Sequence, residues 1–499
     1  MNVWTILAFV LYLGAMLYIG FLFSKKSNNV GDYFLGGRGM GSWLTALSAQ
    51  ASDMSSWLLM GLPGAVYLSG LGEAWIAVGL GIGTYLNWLL VAKRLRNYSY
   101  VTGDAITIPE YFQNRFNAKS TALRVTCAII IFIFFLVYTA SSFNAAAKLL
   151  QTVFGIQYQV GLLIGVVVIM AYTFMGGYFA VVWTDFFQGM LMFFALLIVP
   201  IVAYAFIKAD FSSVVSEMPG YMNFLKESDG STSTWQYVVS NLGWGLGYFG
   251  MPHILLRFMG TEDENKLKLS RRIATIWVII SMFIAIFIGI VGYSISKAGH
   301  IPAFTDSSQS ETLIIKIAML LSNHGVIAII FAGIILAGIL ACTMSTSDSQ
   351  LLAASSSVSH NLLHDVLHIE LSEKASMLVA RITVICIAVI GVFIARDPES
   401  SVFAIVSFAW AGFGASFGPI MLFSLFWKRT NRNGALAGML VGGIMVFVWK
   451  YLIKPLGGIW GIYELLPAFL CACIAIVVVS LLTAPPSKEI IDEFESVGK

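Results

Sequence analysis

The sequence predicts an all-α polytopic membrane protein with about thirteen spanning helices, and three observations predict it. Hydrophobic residues make up 58% of the 499 and charged residues only 11%. A soluble domain carries about 25% charged residues, so too little polar surface remains to face water all round. The apolar residues fall in runs long enough to cross ~30 Å of hydrocarbon, and the mean hydropathy is +0.84. Lys and Arg are shared unequally between alternate connecting segments.

The expected spans, numbered helices 1 to 13, are 4–23, 41–66, 73–92, 123–149, 159–176, 183–207, 234–257, 273–296, 312–357, 377–395, 402–426, 435–453 and 463–483. The ninth is too long for one crossing and is expected to include a short outer helix first. Met1 to Trp4 carries no positive side chain, and no small-residue cleavage site follows the first run. Helix 1 is therefore expected to stay in the membrane with the N-terminus outside, not to act as a leader. On that orientation the inner segments hold 21 of the 29 Lys and Arg and the outer segments 8, which is the positive-inside pattern.

One transmembrane domain, 1–484, is expected, followed by a polar cytoplasmic tail, 485–499. Within it lie an N-terminal helix and inner loop (1–40), two five-helix sets (41–207 and 234–426) and a C-terminal helix pair (435–483). The longest outer loop, about 208–233, is acidic and rich in Gly and Ser. No extramembrane domain is expected, so the work falls to the bundle and its mouths. A net charge of +3 suggests no nucleic-acid partner, and no obligate protein partner is evident. Cys127, Cys342, Cys386, Cys471 and Cys473 lie in apolar segments and are expected to be small buried hydrophobes, neither disulfides nor metal ligands. His360, His364 and His368 share a helical face. That spacing fits the polar face of a short cytoplasmic helix better than a metal site.

Helix 2 contains Ser48-Ala49-Gln50-Ala51-Ser52-Asp53-Met54-Ser55-Ser56-Trp57. A carboxylate near mid-membrane costs ~2.5–3.5 kcal/mol on insertion scales, so Asp53 needs a counter-group, a cavity or an ion. Helix packing by small residues accounts for the serines but not for Asp53. Helix 7 contains Gly243-Trp244-Gly245-Leu246-Gly247-Tyr248-Phe249-Gly250-Met251-Pro252. Four glycines and a proline in ten residues interrupt a helix. Broken backbone at membrane depth survives where it lines a cavity enclosed by protein. Trp244, Tyr248 and Pro252 recur at i, i+4 and i+8, one face of an α-helix, which fits an aromatic wall for a small organic solute or a core-packing stripe.

The two interrupted helices each begin a five-helix set, helices 2–6 and helices 7–11, and the sets start on opposite sides. Interruptions at corresponding positions of inverted halves point to a transporter's binding site. Helix 9 carries Cys342-Thr343-Met344-Ser345-Thr346-Ser347-Asp348-Ser349, a dense supply of the oxygen ligands that a hard cation takes. Hydroxyls bonding back to their own helix are the alternative. Asp185, at the inner start of helix 6, suits either an ion or the helix dipole.

The run Asp32-Tyr33-Phe34-Leu35-Gly36-Gly37-Arg38, then Ala51 to Ser55, resembles the sodium/solute symporter family. Trp57 to Ala65, Gly243 to Phe249, Pro252-His253-Ile254 and Arg257-Phe258-Met259 look like its bacterial proline branch. Arg429, Gly434-Ala435 and Gly438 match the family's late signature. The resemblance implies the LeuT-type 5+5 inverted repeat, with one extra N-terminal and two extra C-terminal helices.

For the ion, it implies sodium held by the carbonyls of Ala51, Met54 and Cys342 and the hydroxyls of Ser345 and Thr346, with Asp53 a coupling acid beside them. For the solute, it implies Ser55, Ser56, Trp57, Tyr138, Trp244, Tyr248 and Pro252. Ser56 stands where that branch usually has glycine, and Cys342 where alanine is usual. Relatives with a second sodium suggest an inner cation site from Asp185, Asp348 and Ser349.

The expected function is sodium-coupled import of L-proline by alternating access, in a bacterial plasma membrane. No cofactor beyond the coupling sodium is expected, and the surroundings are membrane lipid. Pattern alone does not choose proline over another amino acid, a sugar or a carboxylate. A membrane enzyme would need a catalytic cluster in the spans, and a sensor would need a signalling domain; the sequence offers neither.

Overall fold

The computed structural model describes residues 3–24, 34–118, 120–174, 177–207, 220–226, 231–358 and 372–497. The His360, His364 and His368 face and most of the 208–233 loop lie outside them. Among the described residues there is no β-strand, only two isolated bridges. Ten helices are long and apolar enough to cross a membrane as single rods. They are helices 1 (Val3–Ser24), 3 (71–101), 4 (Ala122–Phe154), 6 (178–205), 8 (Lys266–Lys297), 9 (Val326–Ser356), 10 (Glu373–Ala395), 11 (Val402–Phe426), 12 (432–456) and 13 (Leu465–Leu482). Helix 5 is shorter, Tyr158–Thr173, and helices 2 and 7 are broken.

The ninth span divides as expected. Short helices Ser307–Ser310 and Leu313–Leu321 precede the long helix 9. Several helices outrun their expected bounds. Helix 8 starts at Lys266 and not near 273, and helix 3 runs on to Val101. Their extra turns carry Lys266, Lys268, Lys93, Arg94 and Arg96. Charged turns continue a backbone ladder past the hydrocarbon, whereas hydropathy registers only the apolar part.

Burial sorts the helices into an inner set and a lipid-facing rim. The spanning window of helix 11 is 83% buried and that of helix 9 is 67%, against 22% for helices 1 and 12. Exposed Leu and Val on the rim face hydrocarbon, where they cost nothing. Cys386 is exposed on this rim and Cys471 and Cys473 are half-buried; only Cys127 and Cys342 are buried. The expectation of five buried thiols thus fails for three, because an apolar helix in lipid need not hide its apolar side chains.

Helix 3 and helix 7 meet backbone to backbone. A β-carbon on Gly83 would lie 2.3 Å from the Gly245 carbonyl oxygen, and one on Gly79 2.4 Å from that of Leu242. Small residues permit this approach in membranes. Gly83→Ala is expected to destabilise the protein by about 1–3 kcal/mol. Gly81→Ala, on the same helix with nothing within 4 Å, should not. Melting of the two purified variants in detergent checks this, and equal melting temperatures would refute the seam.

On the face that holds the N-terminal end of helix 1, a buried ion pair joins Lys148 Nζ to Glu311 Oε2 at 2.6 Å. Glu311 also accepts from Ser401 Oγ and from the backbone N–H groups of Val402 and Phe403. It thus caps helix 11 from the short helices that precede helix 9, meeting donors that a helix start leaves open. On the opposite face Arg38 pairs with Asp104 at 2.7 Å and donates to Met259 O and Ala105 O. The tail is more than a polar extension. Residues Lys488–Val497 form a helix whose Phe494 ring lies 5.1 Å from the Arg115 guanidinium and 5.9 Å from that of Arg94. Burial there pushes the Glu493 carboxyl above the usual range, with Arg115 opposing.

Candidate functional site

Helix 2 is α-helical from Ser42 to Asp53, turns at Met54 (φ −79°, ψ 70°), and resumes as a wide-turn segment, Trp57–Gly61, leading into Leu62–Ser69. The break therefore spans Met54–Ser56, a little later than the polar run that announced it. Ser55 N–H donates to Asp53 O at 2.8 Å, and Leu58 N–H to Ser55 O at 3.0 Å. In a continuous helix those two donors would serve Ala51 O and Met54 O. The break thus frees the two carbonyls that the resemblance assigns to sodium.

Helix 9 closes on this point. Ser345 Oγ donates to Ala51 O at 2.8 Å and lies 3.5 Å from Cys342 O. Thr346 Oγ1 is buried without a hydrogen-bond partner. Freed carbonyls and two hydroxyls, one of them unsatisfied, form a neutral, hard-oxygen donor set. That chemistry fits a small monovalent cation, and burial of such groups is costly unless something meets them.

Asp53 bridges the two broken helices. Its Oδ2 accepts from Tyr248 Oη at 2.7 Å, while Oδ1 is buried and unsatisfied. Tyr138 Oη lies 3.4 Å from both Asp53 O and Ser55 Oγ. Ser56 Oγ is buried without a hydrogen-bond partner. Trp57 and Trp244 face each other with ring centres 5.9 Å apart. The solute residues expected on helices 2, 4 and 7 thus gather around the two breaks.

Helix 7 differs in its local form. It is α-helical over Trp235–Gly243, a 3-10 helix over Trp244–Gly250, extended at Met251, and α-helical again over Pro252–Met259. Trp244, Tyr248 and Pro252 are therefore not one α-helical stripe, because a tighter helix has three residues per turn. Trp244 and Tyr248 come together through a third residue, Trp410 of helix 11, with ring centres 6.5 Å and 5.2 Å away.

Asp185 lies in the third turn of helix 6, Tyr178–Val202, beyond the first turn where the dipole acts. It is buried, and Arg257 Nη2 donates to its Oδ2 at 2.9 Å. Ser48 Oγ donates to the same oxygen at 2.7 Å. Arg257 also reaches Ser349 Oγ at 2.6 Å and Ser48 Oγ at 3.1 Å. An arginine thus stands among the residues expected to form a second cation site; Asp348, also buried, is on the same helix as Ser349.

Sequence reasoning missed Asn87, Phe403, Trp410 and Tyr463. Phe403 and Tyr463 lie against Trp244 at 5.2 and 5.3 Å. Asn87 was within reach, since an amide in an apolar span invites the question asked of Asp53. The aromatics were not, because aromatic residues occur throughout the spans.

Residues 33–442 match the family described as the sodium:solute symporter family. The chain is 45% identical to a sodium/proline symporter of Haemophilus influenzae, over 99% of this chain and 98% of that protein. It is 41% identical to a sodium/proline symporter of Escherichia coli, over 97% and 94%. An osmoregulated proline transporter of Bacillus subtilis is 40% identical over 98% and 96%. Among solved structures, a sodium-coupled sialic acid symporter in a substrate-bound outward-open state superposes with a TM-score of 0.78 at 20% identity, covering 98% of this chain and 99% of that one. Mhp1, a nucleobase-cation-symport-1 family transporter, gives 0.56 at 12% identity over 94% and 99%. These likenesses fix the fold as the inverted-repeat type.

Proposed function

This chain belongs to the sodium:solute symporter family, and from that premise we propose that it imports L-proline by sodium-coupled secondary active symport. The observation that carries the reading is that helices 9 and 7 both meet helix 2 beside its break. Ser345 meets helix 2 at Ala51 O, and Tyr248 meets it at Asp53, with one residue between. The relatives named for proline supply the solute.

Sodium as cargo takes the carbonyls of Ala51, Met54 and Cys342 and the hydroxyls of Ser345 and Thr346. The solute takes Ser55, Ser56, Trp57, Tyr138, Trp244, Tyr248 and Pro252. Asp53 joins the two through Tyr248. Sodium that orders helix 2 also orders the solute side, so each ligand raises the other's affinity by the same factor. A membrane potential of ~100 mV supplies about 2.3 kcal/mol per charge. A tenfold sodium gradient adds about 1.4 kcal/mol, so one sodium sustains roughly 500-fold accumulation of a neutral solute.

The protein is a multi-pass membrane protein and its family is one of transporters, not enzymes. The reading places it in a bacterial inner membrane with its N-terminus outside and its C-terminus cytoplasmic. Asp185, Asp348 and Ser349 are the candidate for an inner cation site, with Arg257 the cation that Asp185 and Ser349 hold here. A flux ratio of one, unchanged in Asp348→Asn, would leave no second sodium for them.

Uptake into proteoliposomes tests the whole. Labelled proline should accumulate under an imposed sodium gradient and not when potassium replaces sodium. Asp53→Asn should abolish accumulation. Uptake indifferent to sodium would refute the coupling, and a sodium gradient that drives accumulation of another labelled solute but not of proline would reassign the substrate.

A further inference from the structure

In the 3-10 stretch Trp244–Gly250 i→i+3 bonds of poorer geometry replace those of an α-helix, and its carbonyls can still accept a second donor. Two of them, four residues apart, are met from other helices. Trp410 Nε1 of helix 11 donates to Trp244 O at 2.8 Å, and Asn87 Nδ2 of helix 3 donates to Tyr248 O at 3.0 Å. Both side chains are buried. The Trp410 ring also stands edge-on to the Tyr248 ring, 5.2 Å between centres. Gly247 makes the room, since a β-carbon there would lie 1.9 Å from Trp410 Nε1. Asn87 Oδ1 is buried without a hydrogen-bond partner, so the amide is committed to the Tyr248 carbonyl through its donor alone.

We infer that Asn87 and Trp410 are the positioning residues for solute selection: from two different helices they fix the backbone that carries the Trp244 indole and the Tyr248 phenol. The inference rests on the proposed solute pocket and deepens it. A 3-10 segment is held by i→i+3 bonds of poorer geometry than an α-helix, so its side chains depend on donors from outside it. When a buried carbonyl loses its donor it turns to find another, and the ring on that residue turns with it. Tyr248 carries the consequence further, because its hydroxyl is bonded to Asp53. Loosening of the Tyr248 backbone therefore reaches the break that frees the ion carbonyls. Trp244 O and Tyr248 O are held from different helices, so the two donors act on different aromatic side chains of the pocket.

The test uses the purified full-length chain in sodium buffer, with Asn87→Ala and Trp410→Phe. Phenylalanine keeps the aromatic body and removes only the N–H. Ligand-dependent thermal stabilisation is measured with proline, its four- and six-membered-ring analogues and open-chain amino acids. Both variants should bind the solute preferred by the native chain about tenfold more weakly. They should also reorder the panel toward looser selection, with uptake KM rising more than Vmax per folded transporter falls. Asn87→Ala should in addition raise the sodium concentration for half-maximal stabilisation. An unchanged rank order and unchanged affinities in both variants, with only the ligand-free melting temperature lowered, would overturn the inference and leave a packing role. If the native chain prefers another panel solute to proline, the proposed substrate falls, and the two variants are judged on that solute instead.

Discussion

Thr346→Val is expected to raise the sodium concentration for half-maximal proline uptake by about ten- to a hundredfold, and Ser345→Ala/Thr346→Val by more. Hydrogen-bonding groups that face a charge contribute about 1.5–3 kcal/mol each, and every 1.4 kcal/mol is tenfold. Valine keeps the shape of threonine and removes only an oxygen that bonds no protein group. Folding should therefore be spared and the loss should fall on the ion. Ser345→Ala differs, because it also removes the donor to Ala51 O and leaves that freed carbonyl unmet. Sodium titration of initial uptake rates at saturating proline checks both. An activation constant unchanged in Thr346→Val would remove Thr346 from the ion site.

The second large effect is expected at Asp185 and Arg257. Both side chains are essentially excluded from solvent, at 0% and 1% exposure. Breaking such a pair by neutralising one member strands the other and costs about 3–5 kcal/mol. Asp185→Asn and Arg257→Gln should each sharply reduce the folded fraction recovered from membranes. The double variant should recover a large part, because two neutral amides strand no charge. Fluorescence-detected size exclusion of the three variants reads this directly. A double variant worse than either single one would mean that the pair is not held mainly by charge.

The general architecture was legible because lipid demands long apolar runs and leaves charge to mark the sides. The two breaks were legible because glycine and proline in helix 7, and a carboxylate in helix 2, have few inexpensive places at membrane depth. What could not be read was how the broken ends are satisfied. Nothing in the spacing of Trp244 and Tyr248 announces that Trp410, far along the chain, and Asn87 hold their carbonyls. The choice of a 3-10 path over Trp244–Gly250 was likewise hidden, since glycines permit many backbones and select none. Arg257 was counted among the inner charges of the topology. Its burial against Asp185 depends on helices 2, 6, 7 and 9 converging, and composition cannot show that.

The glycine contact between helices 3 and 7 has a consequence for how this bundle can travel. With bare backbones touching at Gly79, Gly83 and Gly245, there is no layer of side chains between the two rods to act as a bearing. Sliding one past the other would drive carbonyls into carbonyls. The two must therefore be carried as a single stiff piece, Asn87 and Tyr248 with them. Any rocking of the repeats has to find its pivot at other seams, where longer side chains can roll.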